Sequence, residues 1–259
     1  MLKIRGAISK QSYTTLSIMA FCFVFLVWIF LSSFRLVNAV FLPSPLNVLS
    51  YFVDAMQDGS LLPNIMISCQ RILFGVFFAV VVGFPVGILC GTFKGAEAVI
   101  RPLCEFVRYL PVPAFVPLVM VWAGIGESAK ILLLFIGILF QLILMIADDV
   151  TSVSDDLLNA GYTLGATRRQ TITKILIPAM LPRCMDTLRM MIGWAWTYLV
   201  VAEMVAANSG LGYSIMKAQR FLKTDAIFVG ILVIGLLGLF TDRFLYFLSK
   251  ELFHWVEGK

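Results

Sequence analysis

Continuous apolar runs of about twenty residues constrain the fold of this chain more than any other feature of its sequence. Two of them are LSIMAFCFVFLVWIFLSSF (16–34) and AKILLLFIGILFQLILMIA (129–147). A helix of about 20 residues crosses the hydrocarbon core of a bilayer, whereas the strands of a membrane barrel would alternate apolar and polar residues. The chain is 60% hydrophobic and 14% charged, while soluble domains carry about 25% charged residues. These features predict an all-α polytopic membrane protein.

The distribution of apolar residues predicts about six transmembrane helices in a single domain over residues 1–259. The predicted spans are 15–34, 65–92, 103–125, 129–147, 183–206 and 226–248. The first run is longer than the apolar region of a typical secretion signal and lacks a cleavage site of small residues, so we expect it to be retained. Five cysteines lie in or beside apolar runs without a CxxC pair, which indicates buried thiols rather than disulfides or a metal site.

The third predicted span contains RYLPVPAFVPL (108–118), which cannot form one regular helix. Pro111, Pro113 and Pro117 each lack a backbone N–H, and a proline inside a helix also clashes with the preceding turn. Irregular backbone at membrane depth is stable only where protein or a water-filled path covers it. We therefore expect this segment inside the bundle or beside a translocation path, which Pro113 and Pro117 would line.

Lysine and arginine are distributed unevenly between the two sides of the predicted topology. With both termini in the cytoplasm, the inside segments carry twelve of these residues, including Lys3, Arg5 and Lys259, and the outside segments carry five. The remaining three fall within spans: Arg71, Arg108 and Arg189. Because cytoplasmic loops are enriched in Lys and Arg, we expect both termini and the segment 148–182 to be cytoplasmic. The net charge of +5 fits this loop bias better than nucleic-acid binding.

Small residues recur at every fourth position in the second span: Gly75, Ala79, Gly83, Gly87 and Gly91. On a helix, this spacing places them in one stripe, where the backbone of a neighbouring helix can approach closely. The stripe indicates helix packing, either within one subunit or between two, and it carries no information about a substrate.

A polar stretch that contains glycine, LLNAGYTLGATRRQTITKILIP (157–178), interrupts the apolar sequence. Ser154 is suited to cap a helix with an acidic first turn, and Gly165 is suited to end that helix. Thr167 and Gln170 have the spacing of a capping box that begins another helix. The sequence therefore predicts helix, glycine corner and helix on the cytoplasmic side. From these cues alone, an amphipathic hairpin lying on the lipid headgroups is an alternative to a docking segment.

The same stretch resembles a motif of the membrane subunits of bacterial ABC importers, written EAA-x3-G-x9-I-x-L-P. The residues at the spacing of this motif are Asn159, Ala160, Gly161, Gly165, Ile175, Ile177 and Pro178. Asn159 replaces the Glu of the motif and Gly161 replaces its second Ala. The resemblance implies that 154–178 holds a coupling helix that docks on an ATPase subunit. The expected coupling residues are Asn159, Ala160, Gly161, Leu164, Gly165, Ala166 and Thr167.

Further segments resemble one branch of these permeases, which transports nitrate, sulfonates, taurine or bicarbonate. FLPSPLNVL (41–49) resembles the periplasmic segment of that branch. PVPAFVPLVMVWAGIGESAK (111–130) is similar to its P-x-P-A-x-x-P-L…W-F-G-I-G-E-x-x-K pattern, with Ala123 where Phe is usual. VAEMVAANSGLGYSI (201–215) and the FLKTD that follows look most like alkanesulfonate and taurine permeases. The resemblance covers nearly the whole chain.

The resemblance implies a type I importer built from several chains: a second copy of this one, two ABC ATPase subunits and an extracytoplasmic substrate-binding protein. The sequence contains no G-x-x-x-x-G-K-[ST] motif, so ATP and Mg are expected on the ATPase subunits, and this chain is expected to be no enzyme and to hold no cofactor or metal. The expected location is the lipid of the bacterial inner membrane. The implied substrate is a small anion such as taurine or an alkanesulfonate; nitrate, bicarbonate and a heterocyclic vitamin precursor are alternatives.

The fifth span provides the main candidates for the translocation path. Arg189, Trp196 and Glu203 are seven residues apart, which places them close to one helix face. Charged side chains within a span usually face the bundle interior or a watery cavity. In the alternative interpretation, Arg189 reaches the cytoplasmic interface and Glu203 caps a helix near the outer surface.

Other polar and aromatic residues of the spans have simpler interpretations. We assign Trp194 and Tyr198 to helix packing. Arg108 is expected to be an interfacial anchor or part of an intrahelical ion pair. Arg71 is expected to meet a carbonyl group or a lipid phosphate rather than an anionic substrate.

Two functions of other classes are alternatives to that of an importer permease. In an ion-gradient-driven transporter, Glu203 would be a proton carrier, but the sequence shows no clear inverted repeat, and the cytoplasmic corner would have no task. An intramembrane hydrolase is disfavoured because the only histidine, His254, lies in the C-terminal tail.

Overall fold

The computed structural model describes residues 8–254, without the side chains of Lys10, Val205 and Ala206. Lys3, Arg5 and Lys259, which contribute to the predicted charge bias, lie outside this range. Within it the chain is helical and contains no β-strand, which confirms the predicted fold class. The α-helices are α1 (Lys10–Ser33), α2 (Pro45–Gln57), α3 (Leu61–Thr92), α4 (Lys94–Arg108), α5 (Val116–Ala123), α6 (Glu127–Thr151), α7 (Asp155–Thr163), α8 (Arg168–Gln170), α9 (Ile177–Ala206), α10 (Leu211–Arg220) and α11 (Thr224–Leu252).

Four of the described helices are long and apolar enough to cross a membrane: Gln11–Ser33 within α1, α3, α6 and α11. They correspond to the first, second, fourth and sixth predicted spans. The fifth predicted span lies in α9, which is 30 residues long but is not among these apolar helices. Because Arg189 and Glu203 lie in α9, its polarity needs partners inside the bundle. The arrangement of six spans therefore stays a prediction.

The third predicted span is two helices that meet at an elbow. α4 and the segment Val112–Ala123 differ in direction by 92°. α4 ends at Arg108, a single 3₁₀ turn covers Val112–Phe115, and α5 follows. Pro111 and Pro113 explain the break, since each removes a helical hydrogen bond and restricts the residue before it. If the two helices are counted as one broken span, the described chain has five candidate spans.

The small-residue stripe of α3 packs against α6 of the same chain. Gly75, Ala79, Gly83 and Gly87 are buried. A methyl group at Gly75 would lie 2.6 Å from the Cβ of Leu134, and one at Gly91 would lie 2.6 Å from the carbonyl oxygen of Ala147. The backbones of α3 and α6 are therefore in close contact along most of their length.

α9 and α6 form the centre of the bundle. The main core contains fully buried residues of both helices: Leu134, Ile138, Leu142 and Ile146 of α6, and Met191, Ala195 and Leu199 of α9. α1 lies at the periphery, where the indole of Trp28 donates to the carbonyl of Pro43 at 3.0 Å and stacks on Phe228 of α11. Most of the apolar side chains of α1 are exposed, as expected for a helix that faces lipid or another subunit.

Candidate functional site

α7 ends at a glycine corner. Ser154 occupies the N-cap position of α7 with the extended backbone of a capping residue, although its side chain makes no capping hydrogen bond. Asp155 and Asp156 occupy the first turn, where carboxylates interact favourably with the helix dipole. Gly165 has φ 83°, a left-handed conformation that favours glycine. Its N–H donates to the Tyr162 carbonyl at 2.9 Å, and the N–H of the next residue, Ala166, donates to the Gly161 carbonyl at 3.0 Å. These two hydrogen bonds form a Schellman motif at the end of the helix.

The second helix of the corner begins with the predicted capping box. The backbone N–H of Thr167 donates to Oε1 of Gln170 at 2.8 Å, and the Gln170 N–H donates to the Thr167 hydroxyl at 3.4 Å. α8 then continues as a π-helix over Thr171–Leu176 and enters α9. A proline ring clashes with the carbonyl four residues before it in a regular helix, and the wider π turns directly precede Pro178. The corner is thus joined to α9 without a loop.

Most of the predicted coupling residues lie on the surface of this corner. Asn159, Ala160, Leu164, Gly165 and Thr167 are exposed, and Ala166 is half-buried. Leu164, at the tip, is 88% exposed although it is apolar. Gly161 is instead buried, because the side chain of Ile175 occupies the space where a Cβ would lie. Glycine at this position therefore allows α7 to pack closely on the π segment.

A network of charges that includes the buried Arg71 and Glu203 lies in the N-terminal half of α3. Arg71 is 1% exposed and Glu203 is fully buried. The Arg71 guanidinium donates to Glu203 Oε1 at 2.7 Å, to both carboxylate oxygens of Glu127 at 2.6 and 2.7 Å, and to the Ser209 carbonyl at 2.8 Å. Lys130 also donates to Glu127, at 2.7 Å. The expected carbonyl partner of Arg71 is that of Ser209. The carboxylates of Glu127 and Glu203 are two further partners, which the sequence did not indicate.

The same network caps the N-terminus of α10. Three consecutive backbone N–H groups there donate to side chains of α3 and α9: Gly210 to Asn64 at 2.7 Å, Leu211 to Ser68 at 3.0 Å and Gly212 to Glu203 at 2.7 Å. Such groups have no partner within their own helix. Glu203 therefore has the helix-capping role of the alternative interpretation.

Arg189 and Trp196 face α11. The guanidinium of Arg189 donates to Asp242 at 3.0 and 3.2 Å and to Asp186 at 3.0 Å, and it lies 5.0 Å from the ring centroid of Tyr246. Trp196 is 4% exposed, and its indole N–H donates to Thr241 at 3.3 Å. The three side chains of the predicted stripe all contact other helices of this chain.

An open cleft of about 310 Å³ lies on another face of α9, beside the elbow. Its walls are formed by the elbow itself, including Arg108 and Pro113, and by the middle parts of α6 and α9, including Gln141, Trp194 and Tyr198. A Cβ at Gly137 would lie 2.9 Å from Tyr198, so this glycine allows the ring to pack against α6. Pro113 lines this cleft, whereas Pro117, Arg189, Trp196 and Glu203 do not, and the assignment of all five residues to a translocation path stays a prediction.

The sequence did not indicate four residues that line this cleft: Arg108, Gln141, Trp194 and Tyr198. Trp194 and Tyr198 are four residues apart, which predicts one helix face, but nothing in the sequence indicates that the elbow leaves this face open. Trp194 is 42% exposed, so helix packing does not account for the whole side chain.

Comparison with known proteins identifies relatives of this chain. Residues 83–254 match the family described as "Binding-protein-dependent transport system inner membrane component". The chain is 34% identical over 259 residues to the taurine transport system permease protein TauC of Escherichia coli (strain K12), covering 98% of this chain and 94% of that one. It is 32% identical over 229 residues to the putative aliphatic sulfonates transport permease protein SsuC of Bacillus subtilis (strain 168), covering 88% of this chain and 83% of that one.

A solved structure supports the fold. The crystal structure of an amino acid ABC transporter with histidines aligns with a TM-score of 0.62, covering 77% of this chain and 98% of the aligned chain. The sequences are 14% identical, so the likeness concerns the fold alone.

Proposed function

Because the chain belongs to the family of inner membrane components of binding-protein-dependent transport systems, in the nitrate, sulfonate and taurine branch of ABC importer permeases, we propose that it forms the translocation path of an ATP-driven importer for a small solute that carries an anionic group. The proposed substrate is taurine or an alkanesulfonate, the solute classes in the names of two relatives. Nitrate, bicarbonate and a heterocyclic vitamin precursor are the alternative solutes for the same importer.

The geometry of the cytoplasmic corner supports this proposal most strongly. A corner built from α7, Gly165 and a capping box presents the 88% exposed side chain of Leu164 at its tip. This exposed leucine lies among the residues at the spacing of the coupling motif of ABC importer permeases, and a contact with another protein would cover it. We propose that Asn159, Ala160, Leu164, Gly165, Ala166 and Thr167 dock on an ATPase subunit, while Gly161 holds the corner together from inside.

The corner is placed to transmit a movement into the bundle. It follows α6 after three residues and enters α9 through the π segment. The Thr187 hydroxyl, about three turns into α9, donates to Asp149 near the end of α6 at 2.7 Å, so the two helices are linked close to the point where α6 leads into the corner. A displacement of α7 by an ATPase subunit would therefore move the central helices together.

The complete importer that we propose contains two copies of this chain, two ABC ATPase subunits with ATP and Mg, and an extracytoplasmic substrate-binding protein. The proposed location is the bacterial inner membrane, with both termini and the corner in the cytoplasm. That Arg189, Trp196 and Glu203 line the path stays a prediction. These side chains could contact the solute only in another conformation, in which α11 and α3 no longer cover them.

Reconstitution of the importer tests the proposal. The chain is assembled in liposomes with the proposed ATPase and binding-protein partners, and uptake of labelled taurine is measured with and without ATP and Mg. We expect uptake to require ATP and both partners and to persist when ionophores collapse the ion gradients. Uptake by this chain alone, or uptake abolished by ionophores in the presence of ATP, would contradict the proposal in favour of an ion-gradient-driven transporter.

An exposed residue of the corner offers a sharper form of the same test. Leu164→Asp places a charge on the expected ATPase contact, and Leu36→Asp, at another exposed leucine (62% exposed) outside the helices, is the matched control. We expect the first variant to lose co-purification of the ATPase and the second to retain it. Equal retention by both variants would argue against docking at this corner.

A further inference from the structure

A cleft opens at the elbow between α4 and α5, and we propose that it binds the transported anion transiently at the middle of the membrane. The inference rests on the proposed permease function and names the residues that would hold the solute. Arg108 supplies the positive charge, and Gln141, Trp194 and Tyr198 supply neutral hydrogen-bond donors. Pro113, a predicted path residue, forms part of the wall of this cleft. The predicted stripe of Arg189, Trp196 and Glu203 on α9 does not line it.

The position of the cleft along the helices supports this inference. Gln141 lies near the middle of α6 (Glu127–Thr151), and Trp194 and Tyr198 lie in central turns of α9 (Ile177–Ala206). The backbone of the elbow leaves the α-helix at the same depth. Backbone of this kind is tolerated at membrane depth only where it is covered by protein or borders a water-filled cavity. The elbow borders an open space of about 310 Å³, which is large enough to hold water.

Arg108 differs in its partners from several other arginines of the bundle. Three of them are each neutralised by two carboxylates: Arg71 by Glu127 and Glu203, Arg101 by Glu97 and Asp148, and Arg189 by Asp186 and Asp242. Within residues 8–254, Arg108 has no carboxylate partner; its guanidinium donates to the hydroxyl of Tyr109 at 3.1 Å and lies 4.9 Å from that ring centroid. No residue that lines the cleft is acidic. The cleft therefore carries one positive charge without a counterion from the described chain.

The neutral polar groups of the cleft also have capacity for a ligand. In the part of the chain that the structure describes, the Gln141 amide, the Trp194 indole N–H and the Tyr198 hydroxyl make no hydrogen bond. All three groups can donate, and an oxyanion accepts hydrogen bonds through several oxygens. The guanidinium of an arginine can donate two parallel hydrogen bonds to such a group. A small sulfonate or nitrate therefore matches both the charge and the donors.

The same features indicate weak and reversible binding. Arg108 is exposed rather than desolvated, so its attraction for an anion is screened. A site within a transport path must release its solute as well as attract it. Aromatic walls from Trp194 and Tyr198 can border the apolar part of an alkanesulfonate, which nitrate lacks.

The test uses the complete importer in liposomes, with a labelled alkanesulfonate such as ethanesulfonate on the binding protein. For Arg108→Gln we expect an initial uptake rate about tenfold lower, because one charge-assisted hydrogen bond is lost. Arg108→Lys keeps the charge and is expected to retain a larger part of the rate. The control is Arg243→Gln, since Arg243 is exposed on α11 and makes no ion pair within residues 8–254. Basal ATP hydrolysis, measured without binding protein, reports assembly and is expected to be retained in all variants.

A second variant separates a role in anion binding from a role in folding. Gln141→Glu has nearly the same shape and places a negative charge in the cleft, so we expect it to lower ethanesulfonate uptake as Arg108→Gln does and to leave basal ATP hydrolysis in place. Normal uptake by both variants would overturn the inference, as would parallel loss of uptake and basal ATP hydrolysis. If wild-type uptake needs no ATP, the proposed function fails, whereas the comparison between Arg108 and Arg243 still tests the cleft.

Discussion

Glu203 accepts hydrogen bonds from Ser68 and Arg71 of α3 and from the backbone of Gly212 in α10. Glu203 and Arg71 are both buried, so the two charges are removed from water together. A buried ion pair is stable only when further hydrogen bonds satisfy its remaining atoms. The carboxylate has these partners on both oxygens, and it therefore fixes α3, α9 and the start of α10 relative to one another.

Replacing this carboxylate should weaken the bundle more than replacing an exposed one. Glu203→Gln removes the negative charge opposite Arg71 but keeps an oxygen for the Gly212 N–H, and we expect a loss of about 2 kcal/mol in stability. Glu251→Gln, at an exposed position of α11, is the control and should have no effect. The thermal unfolding of both purified variants in detergent measures the difference. Equal unfolding temperatures would show that the ion pair makes no net contribution.

At the scale of helices, the contact between α3 and α6 depends on the absence of side chains along one stripe. A Cβ at Gly87 would lie 2.7 Å from the Cβ of Ile146 and 2.9 Å from the carbonyl oxygen of Ile143. Gly87→Ala should therefore push the helices apart and cost about 1–3 kcal/mol. Gly235→Ala in α11 is the matched control, since no heavy atom lies within 4 Å of its Cβ. Thermal unfolding should separate the two variants, and unchanged stability of the first would mean that α6 can shift freely.

The corner between α7 and α8 depends on backbone conformation rather than on space. A Cβ added at Gly165 or at Gly95 would meet no heavy atom within 4 Å, but only Gly165 has a positive φ, at 83°. Gly165→Ala should destabilise the corner by about 1–2 kcal/mol, while Gly95→Ala should be neutral. Faster amide hydrogen exchange over 155–170 in the first variant alone would confirm this. If the corner docks on the ATPase, the same variant should also lower ATP-dependent uptake, with Gly95→Ala as the control.

The helices could be predicted where a local pattern determines them. Apolar runs predicted α1, α3, α6 and α11 within a few residues, because the length of a spanning helix is set by the bilayer. The prolines predicted that the region 103–125 is irregular, since a missing N–H acts locally. The 92° direction of the elbow could not be predicted in this way, because it depends on the packing of α4 and α5 against α6.

The candidate sites could be predicted only in part for the same reason. The capping box of Thr167 and the left-handed Gly165 are local, and the structure contains both. The partners of Arg71 and Arg189 are distant in sequence, so their spacing on a helix did not reveal Glu127 or Asp242. Heptad spacing predicted one face for Arg189, Trp196 and Glu203, but it gave no information about which helices cover them: Arg189 and Trp196 contact α11, and Glu203 contacts α3 and α10.

As a whole molecule, the described chain keeps much of its apolar surface exposed. α1 has none of its most apolar segment buried, and α3 and α11 have 28% and 17% of theirs buried. Such surface is stable in lipid or against a second copy of the chain, and lipid does not distinguish between two opposite insertions. The distribution of lysine and arginine provides the asymmetry that sets the orientation.

Labelling of single cysteines tests that orientation. The five native cysteines are replaced by alanine, and Leu164→Cys at the corner or Phe41→Cys between α1 and α2 is introduced; both positions are exposed. With both termini in the cytoplasm, a membrane-impermeant maleimide should label residue 41 in intact spheroplasts and residue 164 only in inside-out vesicles. The reverse pattern would place the corner outside the cell, where no ATPase could reach it. Labelling of both residues from one side would contradict the predicted crossing number, because an odd number of spans must separate the two positions.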